Sequence, residues 1–361
     1  MSLAFRNEID ITVWLAGAAV ADVAIQPRSR PPLTRLFAGK PAESLLPVLP
    51  RLFSLCSVAH QVAFLSAIEA AQGQQATPAT VHRRLTAVVA ERLTELLRSL
   101  LVGRLTLDAA TAAAVRAMMQ ATTVLGSASE GVTETLRRDA VAQIKAALGA
   151  LGIAGEGAAL VPGSALAVLI ERCEGEALSA PPAEPSFLTA ADDLDVIKRL
   201  LEEGAAYSDA PELYGKVPET GVWARWARRE PVPSTAAPAA RLAARIAEIV
   251  RLCAWLDRGE EDPGDYVASY RLGVGKGAAA VECARGRLYH AVVLDEDKRI
   301  VSFEFLAPTE WNFHPRGPLV RSLKGAKLPA GRRGQDAVRT LVGAFDPCVG
   351  FKLDFREVGH A

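Results

Sequence analysis

The chain has 361 residues, half of them apolar and 6% aromatic, and its 41 Lys plus Arg balance 41 Asp plus Glu. Zero formal charge excludes a general nucleic-acid binder, which needs a basic excess to neutralise phosphates. No uninterrupted apolar run of about 18 or more residues occurs, so no transmembrane segment is expected. Glu8 and Asp10 stand where a signal peptide would carry basic and then apolar residues, so a soluble, cytoplasmic protein is expected. The five cysteines, Cys56, Cys173, Cys253, Cys283 and Cys348, are odd in number and widely spaced. That argues against a disulfide framework and leaves buried hydrophobes or metal and redox groups.

Loose alternation over residues 9–25 around Ala16-Gly17-Ala18 predicts a β-hairpin, ended by Pro27, Pro31 and Pro32. Apolar residues at helical spacing then predict helices over 56–71, 80–101, 109–119 and 133–151. Pro162, Pro181, Pro182 and Pro185 mark loops. A short helix is expected over 190–203 behind Thr189 as N-cap. Residues 204–236 read as irregular, 234–240 as a mobile linker, and 239–256 as an amphipathic helix. After Gly264 strands are expected over 266–274, 278–283, 288–294 and 299–305, then a short helix over 336–345. A strand pair, a helix set, strands and a helix make an α+β fold with a mainly helical core, expected as one domain over residues 1–361.

The most specific motif begins Val281-Glu282-Cys283-Ala284-Arg285-Gly286-Arg287-Leu288-Tyr289-His290. A hairpin follows, then Ala307-Pro308-Thr309-Glu310-Trp311-Asn312 and Pro315-Arg316. This resembles the large subunit of nickel–iron hydrogenases, which reads Glu-Ala-Pro-Arg-Gly-x-x-x-His, hairpin, Val-Pro-x-x-Trp-Asn-x-x-Pro-Arg. Near the start, Arg51-Leu52-Phe53-Ser54-Leu55-Cys56-Ser57-Val58-Ala59-His60 resembles the family's Arg-x-Cys-Gly-x-Cys-x-x-x-His. Near the end, Asp346-Pro347-Cys348-Val349-Gly350-Phe351 resembles its Asp-Pro-Cys-x-x-Cys. In the family the two cysteine pairs give four thiolates to nickel and iron, for which soft, strongly donating sulfur is suited.

Each pair has lost a member. Phe53 stands at the first thiolate position and Phe351 at the fourth, while Cys56 and Cys348 remain as candidate metal ligands. Two phenyl rings are expected to flank the site and fill space that metal would need, so the resemblance implies no hydrogen turnover and no enzyme. Thr34, ahead of Leu36-Phe37-Ala38-Gly39-Lys40, takes the place of a proton-relaying glutamate. Asp354 stands where the family has a histidine beside its maturation cleavage site, so no processing is expected. The iron side is better kept. On the resemblance, Arg285 lies over the iron and its cyanides as a permanent forked donor. Thr309 donates to a cyanide, and His60 orients the Cys56 sulfur.

The remaining candidates read more plainly. Cys283 replaces the family's alanine and is expected to pack as a buried thiol, the other possibility being a third sulfur in the pocket. Cys173 and Cys253 lie on helices as packing residues. His82, His314 and His360 have no partners at metal-ligand spacing. His290 is expected to be a structural hydrogen-bonding residue, and Glu91 and Arg92 to lie on a solvated face. The glycines of Gly273-Val274-Gly275-Lys276-Gly277 lack the Gly-Lys-Ser/Thr of a nucleotide loop.

Among degenerate relatives of the large subunit, the chain is similar to the HupK/HoxV-type hydrogenase expression/formation proteins, most strongly over about 34–60 and 273–351. That similarity implies a maturation accessory protein, a scaffold or carrier for the iron–cyanide–carbonyl unit. It holds no stable cofactor and works with hydrogenase maturation factors or structural subunits. Two alternatives stay open: a metal-free interaction protein or chaperone that mimics the large subunit, and, ranked last, an active hydrogenase with unusual ligands.

Overall fold

A computed structural model of the chain describes residues 8–30, 32–102, 104–105, 108–126, 133–181, 184–228, 237–258 and 266–358. Strands β1 (Glu8–Ala16) and β2 (Ala19–Gln26) form the expected hairpin, its alternation burying Ile9, Ile11 and Val13 on one face. Two short helices, α1 (Leu33–Phe37) and α2 (Leu49–Leu52), lead into α3 (Ser57–Gln72). Helix α4 (Pro78–Leu101) starts behind a Thr77 side-chain cap with proline in its first turn. Helices α5 (Ala109–Gly126) and α6 (Glu134–Ala150) follow, the former running beyond the expected residue 119.

A small strand pair, β3 (Ile153–Ala154) with β4 (Ala159–Leu160), precedes α7 (Ala165–Gly175). Helix α8 (Asp193–Glu203) emerges from a 3₁₀ turn capped by Thr189, as expected. The segment expected to be irregular contains two short helices, α9 (Ala205–Asp209) and α10 (Val222–Ala227). Their lengths are below what periodicity can register. Helix α11 (Pro238–Arg258) begins inside the expected linker, so residues 238–240 are helical, while 234–236 lie outside the described residues.

Strands β5 (Val267–Gly273), β6 (Lys276–Cys283), β7 (Gly286–Leu294) and β8 (Ile300–Leu306) form one antiparallel meander. Short helices α12 (Pro308–Asn312) and α13 (Pro318–Leu323) precede α14 (Arg332–Ala344). The tail is not open chain. It forms β9 (Gly350–Glu357), which pairs in parallel with β1 from Glu8↔Gly350 to Leu15↔Glu357. Phe351, Leu353 and Phe355 alternate with Lys352, Asp354 and Arg356, a period-2 pattern suited to a sheet with one covered face.

Helices α4, α5, α6 and α11 build the largest apolar core, whereas α3 packs across β6 and β7 over a second. A third lies between the β1–β2–β9 sheet and α14. No helix of the described residues is long and apolar enough to cross a membrane.

Because α4 is covered by both α3 and α11, Glu91 and Arg92 do not lie on a solvated face. Arg92 is 1% exposed, pairs with Glu248 of α11 and stacks 4.6 Å over the Tyr266 ring. Glu248 also pairs with Arg225 and Arg251, each at 3.0 Å. A buried cation is tolerated when it is paired in this way, and truncating so large a buried side chain leaves a cavity and loses its contacts with Tyr266 and Glu248. Arg92→Ala should therefore lower the unfolding free energy by about 3 kcal/mol in urea denaturation. Arg332→Ala, at a side chain 92% exposed, should leave it unchanged.

Candidate functional site

The second core meets the edge of the third at a cavity of ≈ 110 Å³. Its walls include Arg28, Phe53, Cys56, His60, Cys283, Arg285, Thr309 and Cys348. Cys56 is the N-cap residue of α3, Arg285 sits in the β6–β7 turn, Thr309 opens α12, and Cys348 lies between α14 and β9. Folding thus brings both ends of the chain to one place, and all five residues singled out from the resemblance line it.

Arg285 is the most constrained of them. Its Nη1 donates to the Cys56 sulfur at 3.6 Å, and both Nη atoms lie 3.4 Å from Glu95 Oε2. Its Nε stands 3.6 Å from Asp346 Oδ2. Burial alone would favour the neutral guanidine. Asp346, the Cys56 and Cys348 sulfurs and Glu95 outweigh that and hold its pKa above the ordinary arginine value. Backbone fit matters as much. A Cβ on Gly221 would lie 2.6 Å from the Arg285 carbonyl oxygen, and one on Gly286 2.5 Å from Thr220 Oγ1. Both glycines have positive φ, at 114° and 134°, so only glycine lets α10 approach the turn that carries Arg285.

Cys348 is half-buried and accepts a hydrogen bond from Thr309 Oγ1 at 3.0 Å. The loop before it is fixed by two arginines that bind the last carbonyls of α14. Arg104 Nη2 donates to Gly343 O at 2.7 Å and Arg245 Nη2 to Ala344 O at 2.6 Å. Asp346 then turns the chain at φ 55°.

On the other wall His60 stacks face to face on Phe53, ring centroids 3.6 Å apart, and its Nδ1 lies 2.8 Å from His290 Nε2. Burial holds both rings neutral. His60 is pushed well below its ordinary pKa of 6.5, with His290 and Arg28 adding to the effect, and His290 falls to about 3. His290 is thus a hydrogen-bonding partner of His60. Glu91 supports the same corner: its carboxylate accepts from the Val58 and Ala59 amides at 2.7 and 2.9 Å. Burial raises its pKa to about 7 despite those bonds.

Two expectations need correction. Phe351 does not line the cavity. The pleat of β9 turns it into the core beneath the β1–β2–β9 sheet, so only the Phe53 ring stands at the site. Cys283 is not merely a packing thiol. It is buried, yet it lines the same cavity as Cys56. The neighbouring Cys283, before burial, pushes the Cys56 thiol up, and Cys56 in turn holds Cys283 down.

Cys173 and Cys253 are buried in the helical core as expected, burial pushing the Cys253 thiol up to about 12. His82 stacks near Trp255, and His314 Nδ1 accepts from the Arg316 amide at 3.0 Å. His360 lies outside the described residues. Thr34 hydrogen-bonds the Phe303 backbone and the Glu304 carboxylate. Among the described residues no group of three or more His, Cys, Asp or Glu side chains already stands at metal-holding distances.

Sequence reasoning missed Arg28. It leaves the end of β2, and its Nε and Nη2 donate to Glu310 Oε1 at 3.1 and 3.0 Å. Its pKa is held above the ordinary value, since Glu310 and both Cys348 and Cys56 overcome burial. Nothing in Pro27-Arg28-Ser29-Arg30 marks it, because its role depends on a partner at the far end of the chain.

The family described as nickel-dependent hydrogenase matches residues 240–351. The chain is 75% identical over 363 residues to the hydrogenase expression/formation protein HupK of Bradyrhizobium diazoefficiens, covering 100% of both chains. It is 35% identical to HupK of Rhizobium leguminosarum bv. viciae, covering 98% of this chain and 97% of that one. Among solved structures it is similar to the nickel–iron–selenium hydrogenase of D. vulgaris Hildenborough in the reduced state. There the TM-score is 0.64 at 15% identity, over 93% of this chain and 95% of the other. At that identity the likeness concerns fold, and the expected α+β, large-subunit-like architecture is what the chain adopts.

The neutral histidine pair makes stability depend on acidity. Each ring gains a proton near pH 6.5 when unfolded, but only far lower when folded. Full stability is therefore present above about 6.5 and is lost as pH falls from there towards 3. Each ring should contribute a slope of about 1.4 kcal/mol per pH unit within that window. Urea titrations of His290→Gln should show a profile flatter by about one proton; an unchanged slope would mean the ring is charged in the fold.

Proposed function

Given that the chain belongs to the family of HupK hydrogenase expression/formation proteins, we propose that it carries an iron–cyanide–carbonyl unit, as transient cargo, during assembly of a nickel–iron hydrogenase large subunit. The observation that supports this is the single cavity into which folding gathers Cys56, Cys348, Arg285 and Thr309. Its donor set suits such cargo. Thiolates are soft donors for a metal with strongly bonding ligands. Arg28 and Arg285 are permanent cations with planar forks, able to donate to anionic cyanide nitrogens. Thr309 adds a hydroxyl beside Cys348.

Roles then follow from what holds each group. Cys56 and Cys348 bind the iron, and Arg285, braced by Glu95 and Asp346, orients the cyanides. His60, neutral and stacked on Phe53, keeps a dry wall beside Cys56. A protein with part of the family's thiolate set holds iron less firmly than a full set would, which suits a carrier that must release it. Phe53 occupies a place where nickel would need sulfur, so the protein is not an enzyme. We place it in the cytoplasm, in contact with hydrogenase maturation factors or structural subunits.

Purified protein should neither evolve nor oxidise hydrogen; reproducible turnover that tracks nickel content would overturn that reading. Protein purified anaerobically from its own maturation background should show cyanide and carbonyl stretching bands in the infrared. Cys56→Ala or Cys348→Ala should abolish them while costing only about 1–2 kcal/mol of stability. Arg285→Lys should weaken retention of the iron unit, because an ammonium lacks the planar fork. In cells each change should lower mature hydrogenase without lowering its synthesis. Full maturation with both cysteine variants would favour a metal-free docking protein that mimics the large subunit.

A further inference from the structure

We propose that a second, small polar cavity adjoining Arg285 is a binding site for one monoatomic anion, a halide, which fastens the turn that carries Arg285 to α10, α11 and the loop after α14. This site uses no cysteine and stands apart from the carrier reading.

The cavity has a volume of ≈ 30 Å³. Its walls come from the start of α10 (Gly221, Trp223), from α11 (Arg241, Arg245), from the β6–β7 turn (Arg285) and from the loop after α14 (Asp346). That volume takes one water or one ion of similar size, and is too small for a phosphate or a sulfate.

Its polar atoms are in donor excess. Arg245 and Trp223 are only 5% and 4% exposed. Arg245 Nη2 donates to Ala344 O at 2.6 Å, but among the described residues no acceptor meets Arg245 Nη1 or Trp223 Nε1. Arg285 Nε has an ion pair at 3.6 Å from Asp346 Oδ2 and no hydrogen bond. Nearby acceptors are committed elsewhere. Both Glu219 carboxylate oxygens accept from Arg241, and Asn312 Oδ1 accepts from the Thr220 amide. Buried donors are seldom left in this condition unless they serve a bound group.

Charge decides between an anion and a water. Three guanidinium groups, Arg241, Arg245 and Arg285, line the cavity against two carboxylates, Glu219 and Asp346. Arg104, bound to Gly343 O, and Glu95, beside Arg285, add one charge of each sign. One positive charge is left in excess within a buried region. Arg245 registers it: burial pulls its pKa down to about 10, with Arg104, Arg285 and Arg241 adding to the effect against Asp346. A water accepts two hydrogen bonds, must aim its own protons at acceptors, and cancels no charge. A halide accepts from every N–H that reaches it and neutralises the excess.

The test uses full-length protein, crystallised and soaked in sodium bromide, with melting temperature measured in chloride while gluconate keeps the ionic strength constant. An anomalous bromide peak is expected within hydrogen-bond reach of Arg245 Nη1 and Trp223 Nε1. Melting temperature should rise saturably with chloride, by about 2 °C or more. Trp223→Phe, which keeps a ring and removes the N–H, should raise the chloride concentration for half of that rise by ~10-fold. Arg245→Gln should abolish the rise. Water density without an anomalous signal overturns the proposal. A bromide peak with a melting temperature indifferent to chloride marks an adventitious ion only and overturns it too, as does a Trp223→Phe protein that responds like wild type. If Arg245→Gln fails to fold, the wild-type and Trp223→Phe measurements decide the question.

Discussion

One buried guanidinium organises the molecule around it. Arg285 reaches Glu95 on α4, Asp346 in the loop after α14, and the sulfur at the head of α3. Those three partners belong to three different parts of the fold, so a single fixed cation sets their separation. A buried charge is costly unless each side of it is matched, which makes the matching groups mutually dependent. The geometry in turn requires Gly221 and Gly286, because only backbones without Cβ atoms can approach so closely behind the turn. The cavity is thus a consequence of how Arg285 is satisfied.

Much of this was legible in the sequence where residues act through fixed local spacing. Cys56 and His60 lie a helical turn apart, and the Arg285 and Thr309 motifs flank a hairpin, so their types and intervals were readable before any coordinates. The illegible parts are those decided by tertiary neighbours. Arg28 depends on Glu310, and Arg92 on Glu248, partners far along the chain. Periodicity marks which side of α4 is apolar, but cannot say that a second layer covers its polar side too. Phe351 shows a different limit. Alignment placed it at a ligand position, whereas strand pairing decides which way the pleat turns its side chain. Cys283 looked like a conservative replacement for alanine because only the fold reveals that it faces the same cavity as Cys56.

The shared architecture at 15% identity shows that this fold tolerates wide replacement of its residues. Its integrity lies in three apolar cores and in buried arginine–carboxylate pairs such as Arg287–Asp193 and Arg241–Glu219. Positions lining the cavity are therefore free to change without loss of the scaffold. Phe53 illustrates this: its ring packs flat on a neutral imidazole and adds contact to the wall it belongs to.

The parallel pairing of β9 with β1 has a consequence for the order of events during synthesis. β1 is among the first strands to leave the ribosome and β9 the last of the described strands. Until β9 arrives, one edge of β1 exposes unpaired backbone groups, which invite association with other chains. The nascent protein therefore carries an unfinished sheet for most of its translation, until β9 has been made. Topology thus times the cavity as well: until the segment carrying Cys348 and β9 is made, the cavity lacks one wall and the sheet keeps an adhesive edge.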